Sequence, residues 1–202
     1  MIRRPLLAAA ALCATLTLTA CNGSPEAGRP NTTPPPTASP TTTPTPSPST
    51  PTWTEEEQAA ITSAKARYLA ARAAVDKAFA EPAKLDRNAL QKSGNGGEWI
   101  IAVIGDAMNL ERYGWYRSGT VKVSSTQVTS VKLGIEQPEV RLTNCIDTSG
   151  VVSRFQKDHQ PVPMGPGNGK RHKFSSQLVF APPAEGGAKM WFLVADKAAG
   201  TC

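Results

Sequence analysis

The chain has 202 residues with a formal charge of +6, from 22 Lys and Arg against 16 Asp and Glu. Setting aside Arg3 and Arg4 at the very N-terminus leaves +4. An excess that small does not argue for a nucleic-acid partner, and aromatic residues, at 6%, are too sparse for a stacking surface.

Arg3 and Arg4 precede an uncharged apolar stretch from Pro5 to Ala20. A basic start followed by a short apolar run is the layout of a secretory signal, and the run is shorter than the roughly 20 residues a transmembrane helix needs. It ends in LTLTAC, residues 16–21. Leu18-Thr19-Ala20-Cys21 resembles the bacterial lipobox, in which the thiol takes diacylglycerol, the signal is cut before the cysteine, and further acylation, commonly with palmitate, follows. The resemblance implies lipidation of Cys21 and a mature protein held at the outer face of a cell membrane by acyl chains.

Residues 22–52 are almost wholly Pro, Thr, Ser, Gly and Asn. Such a stretch cannot bury enough apolar surface to fold, and its prolines favour extended polyproline II. It is expected to be a semi-stiff stalk with a reach below about 95 Å. Of the four cysteines, Cys13 lies in the signal and Cys21 carries lipid, which leaves Cys145 and Cys202. In an exported, oxidising setting this even pair is expected to form a disulfide, and without CxxC spacing it is not a zinc site.

The folded domain is expected over 53–202. Thr54-Glu55-Glu56-Glu57 reads as a capping box opening a helix that runs to Ala80, before Pro82. Ile61, Tyr68, Val75 and Phe79 form one stripe, with Lys65, Arg67, Arg72 and Lys77 on a solvated flank. A short helix is expected over Arg87–Lys92, then SGNGG as a break, then a helix from Trp99 to Arg112 closed by Gly114. Strands follow. Residues 119–125 and 127–134 read as paired or bent around a bulge. Residues 138–147 alternate, with Val140, Leu142, Asn144 and Ile146 on one face. Residues 151–157 follow a Ser149-Gly150 turn, which predicts a hairpin with the preceding strand. Residues 172–181 and 188–196 predict a second hairpin, and the last strand, apolar on both faces, is expected to be central. GPGNGK, residues 165–170, reads as a flexible loop. Helices first and antiparallel strands afterwards define an α+β domain.

The long Ala-rich first helix with Tyr68, VRLTNCID (140–147) and the closing WFLVADKAAGTC (191–202) resemble small exported or lipid-anchored proteins of actinobacteria, their phages and plasmids. Those belong to the nuclear transport factor 2-like superfamily. The resemblance implies a cone, with helices packed on a curved antiparallel sheet around a pocket. It names no activity for the group, although ketosteroid isomerases and polyketide cyclases share the fold. The hairpin FAPPAEGGAKMWF (180–192) is longer than that pattern.

No catalytic spacing stands out. Asp106 and Asp147 are the weak candidates for a carboxylate base in a cone pocket. Against that role, Asp106 suits a solvent-facing helix position and Asp147 a turn cap or ion pair. Tyr113 and Tyr116 are further possible players, although Tyr113 and Trp115 suit core or rim. His159 and His172 flank a Gly/Pro loop beside Asp158 and read as exposed loop histidines, so no metal and no cofactor are expected. Arg154, Lys157, Lys170, Arg171 and Lys173 stand against Asp158 alone, a local excess of four charges. If their strands pair, these side chains gather at one tip, suited to an anionic wall polymer, anionic lipid or an acidic envelope protein. The best reading is a non-enzymatic, surface-displayed module that binds an envelope partner or an apolar small molecule. An isomerase-like or cyclase-like enzyme and a structural subunit of an envelope secretion or conjugation complex are the alternatives.

Overall fold

The computed structural model describes residues 52–164, 170–183 and 186–202. The signal, Cys21, most of the stalk and residues 165–169 lie outside the described residues. Three α-helices are followed by six strands: α1 (Glu55–Ala80), α2 (Arg87–Lys92), α3 (Gly97–Arg112), β1 (Trp115–Ser118), β2 (Lys122–Lys132), β3 (Glu139–Asp147), β4 (Val152–Phe155), β5 (Arg171–Ala181) and β6 (Met190–Thr201). No helix among the described residues is long and apolar enough to cross a membrane.

Helix α1 starts where its capping box requires. The Thr54 hydroxyl accepts from the Glu57 N–H at 3.2 Å, and the Glu57 carboxylate accepts from the Thr54 N–H at 2.9 Å. Its buried stripe runs Ile61, Ala64, Tyr68, Ala71, Val75, Ala78 and Phe79, and the alanines let the helix lie close to the layer beneath. Asp86 caps α2 through the N–H groups of Asn88 and Ala89. Residues 99–104 are helical, within α3, whose Ile100, Val103, Ala107 and Leu110 are buried. Gly114, at φ +64°, follows the helix and donates to Glu111 O.

Strands β2, β3, β5 and β6 form one antiparallel sheet in the order β2-β3-β5-β6. Residues 122–132 are one strand carrying two bulges against β3, between Val123 and Ser125 and between Val128 and Ser130. Two expectations are corrected. The turn at Ser149-Gly150 does not build a β3-β4 hairpin. Strand β4 leaves the sheet and pairs with β1, Trp115 opposite Phe155, because both edges of β3 are already taken by β2 and β5. The four-residue β1 has no alternation of its own to reveal it and exists through that pairing.

Strand β6 is an edge strand, not a central one. Its apolar character on both faces has a local cause. Trp191 and Leu193 face α1, while the 94–97 loop wraps the free edge: Leu193 N donates to Gly94 O at 2.7 Å and Gly96 N donates to Leu193 O at 2.9 Å. The exposed-edge problem is thereby met with a loop instead of a further strand. Gly97, at φ +55°, is required there, since a Cβ would stand 2.8 Å from Val194 Cβ.

The interior divides in two. One cluster packs Ala64, Tyr68 and Ala71 of α1 on Val140, Leu142, Leu178, Trp191 and Leu193 of the sheet. The other joins the C-terminal half of α1 to α2 and α3 through Val75, Phe79, Leu90, Ile100, Val103 and Leu110. Cys145 and Cys202 are disulfide-bonded, with Cα atoms 6.0 Å apart, tying the middle of the sheet to the end of β6.

Candidate functional site

The helix stripe does more than bury carbon. Tyr68, Arg72 and Asp76 follow one another at four-residue intervals, so all three project from one side of α1. Arg72 is not on a solvated flank: its side chain is 12% exposed, and its guanidinium Nη1 donates to Asp196 Oδ2 at 2.8 Å. The charge lies 5.5 Å from the Trp99 ring centroid and 5.7 Å from that of Phe174.

Asp196 sits on the inner face of β6 with its side chain 0% exposed. Its other oxygen accepts from the Ser176 hydroxyl at 2.6 Å. Ser176 in turn accepts from Asn144 Nδ2 at 2.8 Å, and Asn144 Oδ1 accepts from the Thr126 hydroxyl at 2.7 Å. One polar chain thus crosses all four strands, β6 to β5 to β3 to β2, under α1. The Tyr68 hydroxyl and Arg72 Nε, both buried beside it, have no hydrogen-bond partner among the described residues. Burial raises the Tyr68 pKa, with the Asp196 charge acting in the same direction.

Burial also raises the Asp196 carboxyl above the ordinary carboxylate range, against the lowering pull of Arg72 and Ser176. Asp76 is raised for the same first reason, with the Val121 N–H donating to it at 3.0 Å. Arg117, packed over the Phe79 ring at 4.5 Å, is lowered by burial. With Tyr68, these three are the buried or half-buried ionisable groups at α1 with shifted pKa values, and Asp76 and Asp196 are held by internal partners. A general base must reach a substrate. Asp196 has both oxygens engaged and no surface, so what it does is fix how α1 sits on the sheet.

The pH dependence follows from the sign of the shift. An unfolded Asp loses its proton near pH 3.9 (about), whereas native Asp196 holds it to a higher pH. Between those values the native state binds more protons, so this group's contribution to stability is greatest in acid and is lost as pH rises through the window. The unfolding free energy of wild type minus that of Asp196→Asn is expected to fall as pH is raised above about 4. Urea titrations at stepped pH read this out, and a difference that rises over that range would contradict it. Glu139 and Asp147 act oppositely. Their lowered carboxyls, held by Arg141 and by Ser149 respectively, contribute above the unfolded pKa and lose that contribution in acid.

The residues singled out by sequence are dispersed. Asp106 is on the exposed side of α3. Asp147 is half-buried and accepts from the Ser149 N–H at 2.8 Å, capping the turn after β3. Tyr113 is 61% exposed, its ring 5.3 Å from that of Trp115. The Tyr116 hydroxyl is 3.0 Å from His159 Nδ1, while His172 lies on β5 opposite Ile146 and Thr201. His159 thus lies in the turn after β4, beside the β1–β4 pair, while His172 is on the main sheet. Among the described residues no three His, Cys, Asp or Glu side chains gather where they would hold a metal.

The single basic tip is corrected by the β1–β4 pairing. Arg154 is committed internally, Nε donating to Ser118 Oγ and Nη1 to His159 O, both at 2.9 Å. Lys157 stands over the Phe155 ring at 5.4 Å. Lys170, Arg171 and Lys173 are elsewhere, at the start of β5 on the main sheet. Arg72 and Asp196 were missed as a pair because 124 residues separate them. The available signal was a lone acid ending the apolar WFLVA run and an arginine one turn beyond Tyr68.

Surface clefts among the described residues include the following. One of about 410 Å³ has Val179, Phe192 and Val194 along its floor and Gln91, Gln137 and Gln177 around it. A second, about 590 Å³, runs between α1 and α2 along Ala70, Ala73 and Ala74. A third, about 520 Å³, lies by Tyr113 and Phe155. None of the three is lined by Asp196.

The fold is α+β, helices packed against antiparallel strands. No protein-family model matches the chain, and no curated protein sequence matches it. Solved structures do match, among them the intermembrane space region of the chloroplast protein ARC6. That match spans 72% of this chain and 97% of the other, at 9% identity and a TM-score of 0.45.

Proposed function

We propose that the protein is an exported lipoprotein. Its first 20 residues are a signal, Cys21 is the lipidated mature N-terminus, and 22–52 is a stalk. Residues 53–202 are a non-enzymatic binding domain displayed at the outer face of a cell membrane. The observation that carries this reading is LTLTAC at 16–21, followed at once by a proline-rich stretch with no apolar periodicity. We also assign the domain to the cone-shaped, nuclear transport factor 2-like type, on the resemblance of its first helix and its closing strands. That resemblance supplies the setting, an actinobacterial envelope or a mobile element altering it.

Binding is favoured over catalysis by how the acids are used. Asp196 is locked to Arg72 and Ser176, Asp147 caps a turn, and Asp106 is exposed to solvent. An isomerase-like base needs a carboxylate that is both desolvated and reachable, and none of these three is both.

Feeding cells an alkyne analogue of palmitate is expected to label the wild-type chain and not Cys21→Ala, which should move from the membrane fraction to the medium. Equal labelling of the two would overturn the anchor. Proximity crosslinking on the same cells then tests display: a dominant envelope component is the expected catch, and none with the anchored protein folded would count against a binding module.

A further inference from the structure

The register of the main sheet places side chains that the sequence scatters. On the face turned away from α1, Lys122 of β2 stands opposite Asp147 of β3, which stands opposite Arg171 of β5. In the next row Ser125 faces Cys145 and Cys145 faces Lys173. In the third, Thr143 faces Ser175 and Ser175 faces Lys197 of β6. Lys122, Arg171, Lys173, Ser175 and Lys197 are all exposed.

Arg171 and Lys173 are two residues apart on one strand, about 6.7 Å along it. Lys197 is diagonal to Lys173, about 7–8 Å away. These three cations repel one another. Asp147, the sole acidic side chain in the three rows, accepts from Ser149 N–H and offsets one charge of the facing Lys122 and Arg171, so Lys122, Arg171, Lys173 and Lys197 against Asp147 leave a net excess of three positive charges. The platform is rigid, because Cys145 at its centre is tied to Cys202 and the Arg171 guanidinium lies 3.5 Å from Cys145 Sγ. Such preorganisation lowers the ordering cost of binding.

We propose that this face of the sheet, centred on Arg171, Lys173 and Lys197, is a docking surface for an extracellular polyol-phosphate polymer of the cell wall. The inference rests on the export reading and deepens it by naming the partner's chemistry. A polymer with one phosphate per repeating unit lays successive charges over successive cations along β5 and across to β6. The hydroxyls of Thr143 and Ser175, in the row of Lys197, donate to phosphate or polyol oxygens. A bilayer is a poorer fit. The exposed large apolar side chains, among them Leu69, Ile101, Met108 and Met164, all lie off these rows, so nothing on this face enters a lipid surface. Nucleic acid fits poorly too, since no aromatic side chain stands in the three rows for a base to stack upon.

The test uses the full-length lipidated protein in detergent and a synthetic poly(glycerol phosphate) as probe. Binding is expected with a log–log salt slope of about −2 for three phosphate contacts, a loss of roughly twenty-fold between about 50 and about 200 mM salt. The variant Arg171→Gln/Lys173→Gln/Lys197→Gln should weaken binding by about ten-fold or more. Arg87→Gln/Arg112→Gln/Lys189→Gln removes as much charge from exposed sites elsewhere and should leave binding unchanged. Equal weakening by both triples, or no binding to the polymer at all, overturns the assignment. So does equal affinity for a poly-dT oligonucleotide or, measured with the unlipidated Cys21→Ala chain without detergent, for phosphatidylcholine–phosphatidylglycerol vesicles. The palmitate label on Cys21 is read separately, so failure of this surface and failure of the lipoprotein reading are distinguishable.

Discussion

Replacing Asp196 with alanine is expected to lower the unfolding free energy at neutral pH by about 3–5 kcal/mol, a large share of what a domain of this size possesses. The residue is paired with Arg72 at 2.8 Å in a layer where neither has useful access to water. Its removal leaves a guanidinium between Trp99 and Phe174 with no counter-charge, and leaves the Ser176 hydroxyl without its acceptor. Most of the expected loss is therefore the penalty of the stranded charge, not the worth of the pair. A second variant separates the two. Removing both charges, Arg72→Met with Asp196→Leu, should recover most of the stability, because apolar side chains of similar volume pack into the same layer without a desolvation cost. Chemical denaturation of the singles and the double gives the coupling. A double mutant as unstable as Asp196→Ala alone would mean that the polar chain through Ser176, Asn144 and Thr126 is what holds the sheet in register.

Loss of the Cys145–Cys202 bond is the second large effect. The cysteines are 57 residues apart in sequence, and in the chain-entropy treatment closing a loop of that length contributes about 4 kcal/mol by restricting the unfolded chain. Both Cys→Ser singles and the double should lose about this much, seen as a shift in denaturation midpoint that reductant reproduces in wild type. If reductant leaves the midpoint unmoved while the serine variants fall, the loss comes from placing a hydroxyl at Cys145, which is 6% exposed, and not from the cross-link. The cross-link also holds the end of β6 beside the cationic rows. Reduction should therefore weaken polymer binding as well as stability.

The two effects act on different states. Arg72 and Asp196 matter through the native layer, where burial makes their charges expensive to separate. The disulfide matters through the unfolded chain, which it prevents from exploring distant conformations. The two sites are also on opposite faces of the sheet, so their variants are expected to combine nearly additively.

Local chemistry made the helical half legible. The Thr54/Glu57 capping box, the run of alanines between Ile61 and Phe79, Pro82 after the first helix and the glycines at 94–97 are short-range signals. Each acts through neighbours a few residues away; α1 and α2 stand where they put them, and α3 starts at Gly97, two residues before the expected Trp99. The alternation along 139–147 was equally readable, because one face of β3 is buried and a two-residue period cannot hide that. What is proposed for Cys21 and the stalk is read from residues that adjoin one another.

Partner choice among strands was decided only in three dimensions. Nothing within β4 says that it should leave β3 for β1, and nothing within β6 says that its apolar outer face is covered by a loop from residues 94–97. These outcomes depend on which edges remain free once the longer strands have paired. The same holds for charge. Arg72 looked like a solvent-facing position beside a stripe, and only Asp196, 124 residues away, makes its burial tolerable. Lys197 had no reason to be grouped with Arg171 and Lys173 until the β5–β6 register set them on one face. Sequence order determined the helices, the longer strands, the helix caps and the predicted leader, but not β1. The tertiary structure decided strand partners, the buried ion pair and the cationic face, because contacts between distant residues depend on packing and register, which no local signal encodes.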